Sequence, residues 1–501
     1  MQQAYMYLDL HDGAGFRSVT DHDRDVAALD GFTIDWGVDG IDRQPDPAVM
    51  TFRLIDRTGR FAGRAASIAG ATVVLQITPE ADYDHLDIGA YAEQQDRRIA
   101  DVHAAYVPPL PDNPDNVNRT IFIGIVTTGG EIDHMRGTAW RLTLSATSQM
   151  VLWKRMRDMG PTSANPMWEG YHWVGHAGTR AIELNARAAA RGMPSADYSG
   201  LKQPDGVRAY STDDYPSMLD LLHRTYATDP RIPLWYDGYD RKWTWLRAAL
   251  PAEPASLVLD GAMRRRCRAG EIEHAALDGR SIRAERRFVL PEPYTQIVMQ
   301  THRAKVDNDG VVQYTDSTVT MGARGLPAAL TATQKSITIE SDVLTGNDTG
   351  HLSPEFFTWT PSEEQREQAA RTLTAADTII RPAAIELDSR DIDPAAFPDM
   401  FCAQPVTALC MTGTVANQLM DSSGRPSFTG PWIMIGGVLT YQWHNGHPVF
   451  SHAAHLWPMP QTDERPRWSA LRDWPARYTD GNDITLTDII YTNIFETEDT
   501  P

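Results

Sequence analysis

The residues that could do chemistry are few, and they stand apart. In DHDRDVAALD, Asp21, Asp23, Asp25 and Asp30 space their carboxylates like the start of a calcium-binding loop. Such a loop needs a Gly at its sharp turn and a late bidentate Glu. Val26 occupies the turn position and the Glu is missing, so the segment reads as a solvated loop. His444, His447, His452 and His455 crowd together towards the C-terminal end. Zinc requires three or four converging ligands. On one strand His452 and His455 point to opposite faces. Cys402 and Cys410 would join them only if the fold pairs their strands. The bland reading is ordinary strand and turn histidines.

A basic island, Arg264, Arg265, Arg266 and Arg268, surrounds Cys267. Arginines beside a thiol can lower its pKa, and an arginine run can touch phosphate. No His and Asp or Asn stand at a nucleophile spacing, so an interface or a solvated surface is the simpler reading. The aromatic tracts WEGYHWVGH (168–176) and KWTWL (242–246) could stack on sugar rings, yet Trp and Tyr also fill cores and interfaces. Carboxylates are plentiful, but one sequence does not reveal a glycosidase pair. The sequence therefore assigns no catalytic residue, no metal ligand and no cofactor site, and the expectation is a protein that is not an enzyme.

The elements that would have to position such residues say more. At 501 residues the chain is long enough for roughly three or four domains. The net charge is −20, which argues against a nucleic-acid-coating protein and against docking on an anionic membrane. Three cysteines make no disulfide framework and fit assembly in a reducing cytosol. The start, MQQAYMYLDLHDG, has neither the basic region nor the apolar core of a signal peptide. No run of 18 apolar residues marks a membrane span.

Residues 1–150 read as strands. AYMYLDL alternates up to an HDG turn, and VMTFRLI places Met50, Phe52 and Leu54 on one face. DRTG follows as a turn in which Asp56 bonds nearby backbone and Gly59 takes positive φ. ATVVLQI, TIFIGIVTTGGEID and AWRLTLSAT continue the pattern of a barrel or sandwich. Between them residues 78–119 form a long Pro- and Asn/Asp-rich excursion. Residues 151–260 read as α+β: a helix in RAIELNARAAARG stopped by Gly192, a second helix in STDDYPSMLDLLHRTYAT, and a hairpin around Asp237–Gly238. Residues 261–360 are β-rich, with a hairpin turn at Asn308–Gly310. Residues 361–460 hold a charged helix (362–374) and a closing β domain, and 461–501 an extended tail. The fold class is mainly β with a mixed α+β middle, multidomain.

One stretch is more specific. FTIDWGVDGIDRQPDPAVMTFRLIDRTGRF resembles the N-terminal domain of minor tail proteins from long-tailed phages of actinobacteria. The matching positions are Trp36, Gly37, Gln44, Pro45, Thr51, Phe52, Leu54, Asp56, Gly59, Arg60 and Phe61. Asp56 replaces the commoner Asn, which a turn tolerates. The middle helix with WYDGYDRKWTWL resembles the helix and hairpin inside baseplate-hub proteins. GPWIMIGGVLTYQWHNGHPVFSHAAHLWPMP resembles their closing β domain, where a hairpin leads to a His-bearing strand.

The resemblance implies two tube-like β-barrel domains with an α+β insert domain, and a trimer that joins a six-fold tail tube to a three-fold tip. The implied partners are the tail tube or distal tail protein, the tape measure protein and other tip or receptor-binding proteins. DNA would pass through the channel without specific binding, there would be no membrane insertion, and the place would be the virion tail tip, assembled in the host cytoplasm. The acidic charge would keep DNA from sticking. The alternatives are a hexameric distal tail ring, a host-surface glycan-binding adhesin using the Trp-rich loops, and a cell-wall hydrolase, which needs a constellation the sequence does not display.

Overall fold

Strands send successive side chains to opposite faces, and β4 (Val49–Asp56) obeys that rule closely. Met50, Phe52 and Leu54 are fully buried, while Val49, Thr51 and Arg53 are exposed. The computed structural model describes residues 4–19, 28–39, 46–59, 61–77, 111, 119–127, 130–157, 172–173, 177–193, 196–197, 209–210, 217–226, 234–237, 242–245, 258–259, 265–266, 288–289, 294–306, 312–322, 335–345, 360–361, 363, 366, 369–370, 373, 381–382, 385–389, 406–411, 432–445 and 447–458. The described chain is mainly β, with antiparallel pairing dominant.

Around β4 stand β1 (Ala4–Asp9), β2 (Phe16–Ser18), β3 (Ala28–Gly37), β5 (Thr72–Ile77), β6 (Arg119–Val126), β7 (Glu131–His134) and β8 (Trp140–Ser148). Their order is β3-β4-β8-β6-β5-β1-β2, with β7 on β8. The two ends of this run meet at one residue. The Val19 amide donates to the Met6 carbonyl at 2.9 Å, and the Leu29 amide donates to the Val19 carbonyl at 2.8 Å. Strands β5 and β6 on either side of the excursion are adjacent and antiparallel, Ile77 pairing with Arg119, which already belongs to β6; residues 78–110 and 112–118 lie outside the described residues.

The C-terminal hairpin, Trp432–His444 with His447–Pro458, lies in the same sheet. Its first strand pairs antiparallel with β3, from Gly436 opposite Gly37 to Gln442 opposite Gly31. A positive φ at Asn445 turns the hairpin, and His444 pairs with His447 beside it. Residues 385–388 add a short strand outside the second arm. This arrangement carries the apolar rows of hairpin and wall into one core. Phe450, Tyr441, Phe32, Phe52 and Leu144 are successive cross-strand neighbours. Phe32 stacks on Tyr441 at 5.2 Å between centroids, and Tyr441 meets Phe450 at 4.7 Å. Such aromatic pairs add about 0.5–1.5 kcal/mol each beyond area burial.

The middle of the chain holds the expected helices. Helix Ala177–Ala189 ends where Gly192 takes φ 67°, with the Gly192 amide on the Ala189 carbonyl and the Met193 amide on the Ala188 carbonyl. That pair of bonds is the Schellman motif, and it satisfies carbonyls the helix leaves open. The second helix runs Met218–Tyr226 and starts later than the STDD tract. Ser217 caps it: its hydroxyl accepts from the Asp220 amide at 3.1 Å, and the Asp220 carboxylate accepts from Ser217. Pro216, which disfavours helix at the residue before it, is followed directly by this capping box.

Leu234–Asp237 and Lys242–Trp245 pair as the expected hairpin, with Asp237 opposite Lys242, which is not the register of a two-residue Asp237–Gly238 turn; residues 238–241 lie outside the described residues. Tyr294–Val306 and Val312–Gly322 form the second expected hairpin, whose turn at 308–310 lies outside the described residues. Lys335–Thr345 runs parallel to Tyr294–Val306 and also pairs with Ala209. In the charged helix, Glu363 and Arg366 are exposed, whereas Ala369 and Leu373 are buried.

Candidate functional site

Two structural features of the wall draw together the residues that the sequence singled out. The first is the turn after β4. Burial alone would raise the Asp56 carboxyl, but its hydrogen bonds outweigh that and hold it below the ordinary value. One oxygen accepts from the Thr58 amide at 2.9 Å, the Gly59 amide at 2.9 Å and the Thr58 hydroxyl at 3.1 Å. The other accepts from the Ala62 amide at 2.8 Å. A carboxylate can satisfy that many donors because both oxygens are acceptors. Phe61 then drops into the core at 6% exposure.

The second feature is the seam between β3 and the closing hairpin. The Trp36 indole N–H donates to Nε2 of His452 at 3.1 Å. His452 is fully buried and Trp36 nearly so. Because Nε2 accepts, the imidazole is neutral and carries its proton on Nδ1. Gly37 takes φ 71°, and a Cβ there would drive into the Ile435 carbonyl and the Gly436 backbone. Strand β3 therefore approaches the hairpin more closely than any larger residue permits. The Val38 amide donates to the Ile435 carbonyl at 3.0 Å, and the Ala4 backbone hydrogen-bonds the Tyr441 hydroxyl, whose pKa burial raises.

Beside the seam the closing hairpin and residues 387–388 line a half-open hollow of about 450 Å³. Asp388, Thr440, Gln442, His444 and Ser451 border it with Val438, whereas Leu387 and His452, on the same strands, turn their side chains to the core. The outer face continues as a row of small hydroxyls: Ser451, Thr440, Thr33, Thr51 and Ser145 are successive cross-strand partners.

The four histidines part company. His444 and His447 flank the exposed hairpin turn, His452 is buried at the seam, and His455 is half-buried. No group of three or more His, Cys, Asp or Glu among the described residues can hold a metal ion. Cys410 lies in a strand (406–411) that pairs with residues 258–259 and with the first arm of the hairpin. Arg265 and Arg266 pair with those same residues 258–259. Asp21, Asp23, Asp25, Gln44, Pro45, Arg60, Arg264, Cys267, Arg268, Cys402, residues 168–171 and the tail 461–501 lie outside the described residues. No helix among the described residues is long and apolar enough to cross a membrane.

Sequence reasoning missed Asp388, Thr440 and Ser451. Their own strands were legible, but their meeting rests on pairings between distant segments.

No family model matches the chain, and no curated protein matches it. Among solved structures it is similar to a tail protein from Neisseria meningitidis (9% identity, TM-score 0.42, covering 90% of this chain and 96% of that one). It is also similar to a chain of the Francisella PdpA–VgrG complex (9%, TM-score 0.36, 93% and 60%). A third likeness is to an E. coli component of the type VI secretion system, described as structurally similar to the bacteriophage T4 tail proteins gp27 and gp5 (9%, TM-score 0.34, 87% and 74%). At these scores and identities the likenesses fix neither a fold nor a function.

Proposed function

We propose that the chain is a structural protein of a phage tail tip, a baseplate hub that joins the tail tube to the tip apparatus of a long-tailed phage of an actinobacterial host. The observation that carries this reading is the use made of the stretch that resembles minor tail proteins. Trp36, Phe52, Leu54, Asp56 and Phe61 are all buried in one wall, and Gly37 fits the seam that admits the closing hairpin. These residues specify packing and pairing, and none of them is arranged for a reaction.

The strand run that meets at Val19 supports a tube-like barrel. In this reading a second barrel and the α+β middle complete the hub, and three copies imitate one six-fold ring of the tube. Tail tube or distal tail protein, tape measure protein and tip or receptor-binding proteins would be the neighbours. The net charge of −20 suits a channel in which DNA phosphates find no partner. The hub would assemble in the host cytoplasm and serve no catalytic role. A deletion phage tests this: tubes without tips, or no tails, are expected, and normal infectious tails would rule it out. Copy number separates the hub, at three, from a distal tail ring, at six.

A further inference from the structure

The closing hairpin turns at a chemically weak link. Among the asparagines of the chain, Asn445 alone is followed by glycine. A glycine has no Cβ to keep its amide nitrogen away from the preceding side chain. His444 pairs with His447, so Asn445 and Gly446 make the whole connection between the two arms. Asn445 is exposed and holds φ 51°; Gly446 lies outside the described residues. Asn–Gly is the pair that a two-residue hairpin turn selects.

Its surroundings leave the Asn445 amide open to reaction. Gln442, Trp443, His444 and His447 beside it are exposed as well. The Asn445 side chain makes no hydrogen bond among the described residues. Asn185, the other asparagine among the described residues, is the contrast. It is half-buried within the helix Ala177–Ala189 and precedes Ala186, whose Cβ crowds the approach and whose amide belongs to the helical ladder.

We propose that Asn445–Gly446 is a self-modification site at which the folded chain converts its own asparagine to aspartate and isoaspartate. The Gly446 backbone nitrogen bonds to Cγ of Asn445, the Cγ–Nδ2 bond breaks, and Nδ2 leaves as ammonia with the proton that Gly446 gives up. Water then opens the cyclic imide at one of its two carbonyls, breaking one C–N bond and leaving a carboxylate; nothing is oxidised or reduced. The aspartate product keeps the turn, because Asp–Gly also suits it. The isoaspartate product adds a methylene to the backbone of a two-residue loop, so the His444–His447 register no longer fits. The reaction needs only this chain and water, so its failure leaves the tail-tip reading standing, and the reverse also holds.

The test is a time course on the purified full-length chain, kept folded in warm, mildly alkaline buffer, with a urea-unfolded sample as reference. Peptide mapping by mass spectrometry follows loss of the amide at every asparagine, and fragmentation separates aspartate from isoaspartate. The expected result is amide loss at Asn445 ahead of Asn185 and all other asparagines in the folded chain, with both products present and ammonia released. Asn445→Gln, whose longer side chain closes a larger and slower ring, should abolish that release, with circular dichroism and Tm checking that the variant folds. Loss at Asn445 no faster than at Asn185, loss confined to the unfolded sample, or ammonia release unchanged in the folded variant would overturn the proposal.

Discussion

The Asp56 turn and the Trp36–His452 seam hold the same wall by opposite means. The turn is local: one carboxylate gathers donors from its next few residues and fixes where the chain goes after β4. The seam is remote: an indole, an imidazole and glycines join β3 to a hairpin that follows it by most of the chain. A local device sets direction and can fail without unfolding its surroundings. A remote device sets which strand neighbours which, so its loss affects the whole core. Perturbations of the seam should therefore cost more than perturbations of the turn.

The largest effect is expected at Gly37. Gly37→Val places a branched side chain at positive φ against the Ile435 carbonyl. The variant should give little soluble, folded protein, measured by expression and near-UV circular dichroism. Next comes Phe52→Ala, which empties the middle of the aromatic row and should lose about 3–5 kcal/mol in urea unfolding. His452→Ala strands the buried Trp36 N–H and should cost about 1–3 kcal/mol for that group alone, with a change in Trp fluorescence. Asp56→Ala should cost less than His452→Ala, whereas Asp56→Asn should be milder than Asp56→Ala because an Asn oxygen still accepts. If Asp56→Ala proved worse than His452→Ala, the ranking of turn below seam would be wrong.

Acid sharpens the contrast. Burial pushes His223 down to about 4 from an ordinary 6.5, against the pull of Asp220 and Asp46 and aided by Lys154. The unfolded chain then binds a proton that the folded chain does not, so stability falls as pH drops from 6.5 towards about 4. Asp56 acts lower. Its depressed folded pKa gives stability that is present above the unfolded value of 3.8 and lost as pH falls through the folded one. Urea unfolding between neutral and acid pH should show two successive losses: His223→Leu should flatten the first, and Asp56→Asn the second.

The same division explains what was legible. The alternation in Met50, Phe52 and Leu54, the Asp56 turn and the Gly192 stop are short-range facts, and each was readable because a few neighbouring residues dictate it. The start of the helix at Met218 was misjudged because several Ser, Thr and Asp residues precede it, and only the Ser217–Asp220 box closes on itself. That β3 neighbours the closing hairpin, and that Asp388 meets Ser451 and Thr440, was not readable. Strand order depends on which apolar faces meet, and many orders share one alternating pattern. The histidine group near the C-terminal end was visible as a cluster in sequence, but strand geometry divides it among turn, seam and outer face.

The most direct test of the central claim is gold-antibody labelling of intact virions under negative stain, with antibody raised to this purified chain. The account predicts label confined to the tail tip, with the chain present in virions by mass spectrometry. Unlabelled tails, with the chain absent from virions, would contradict it.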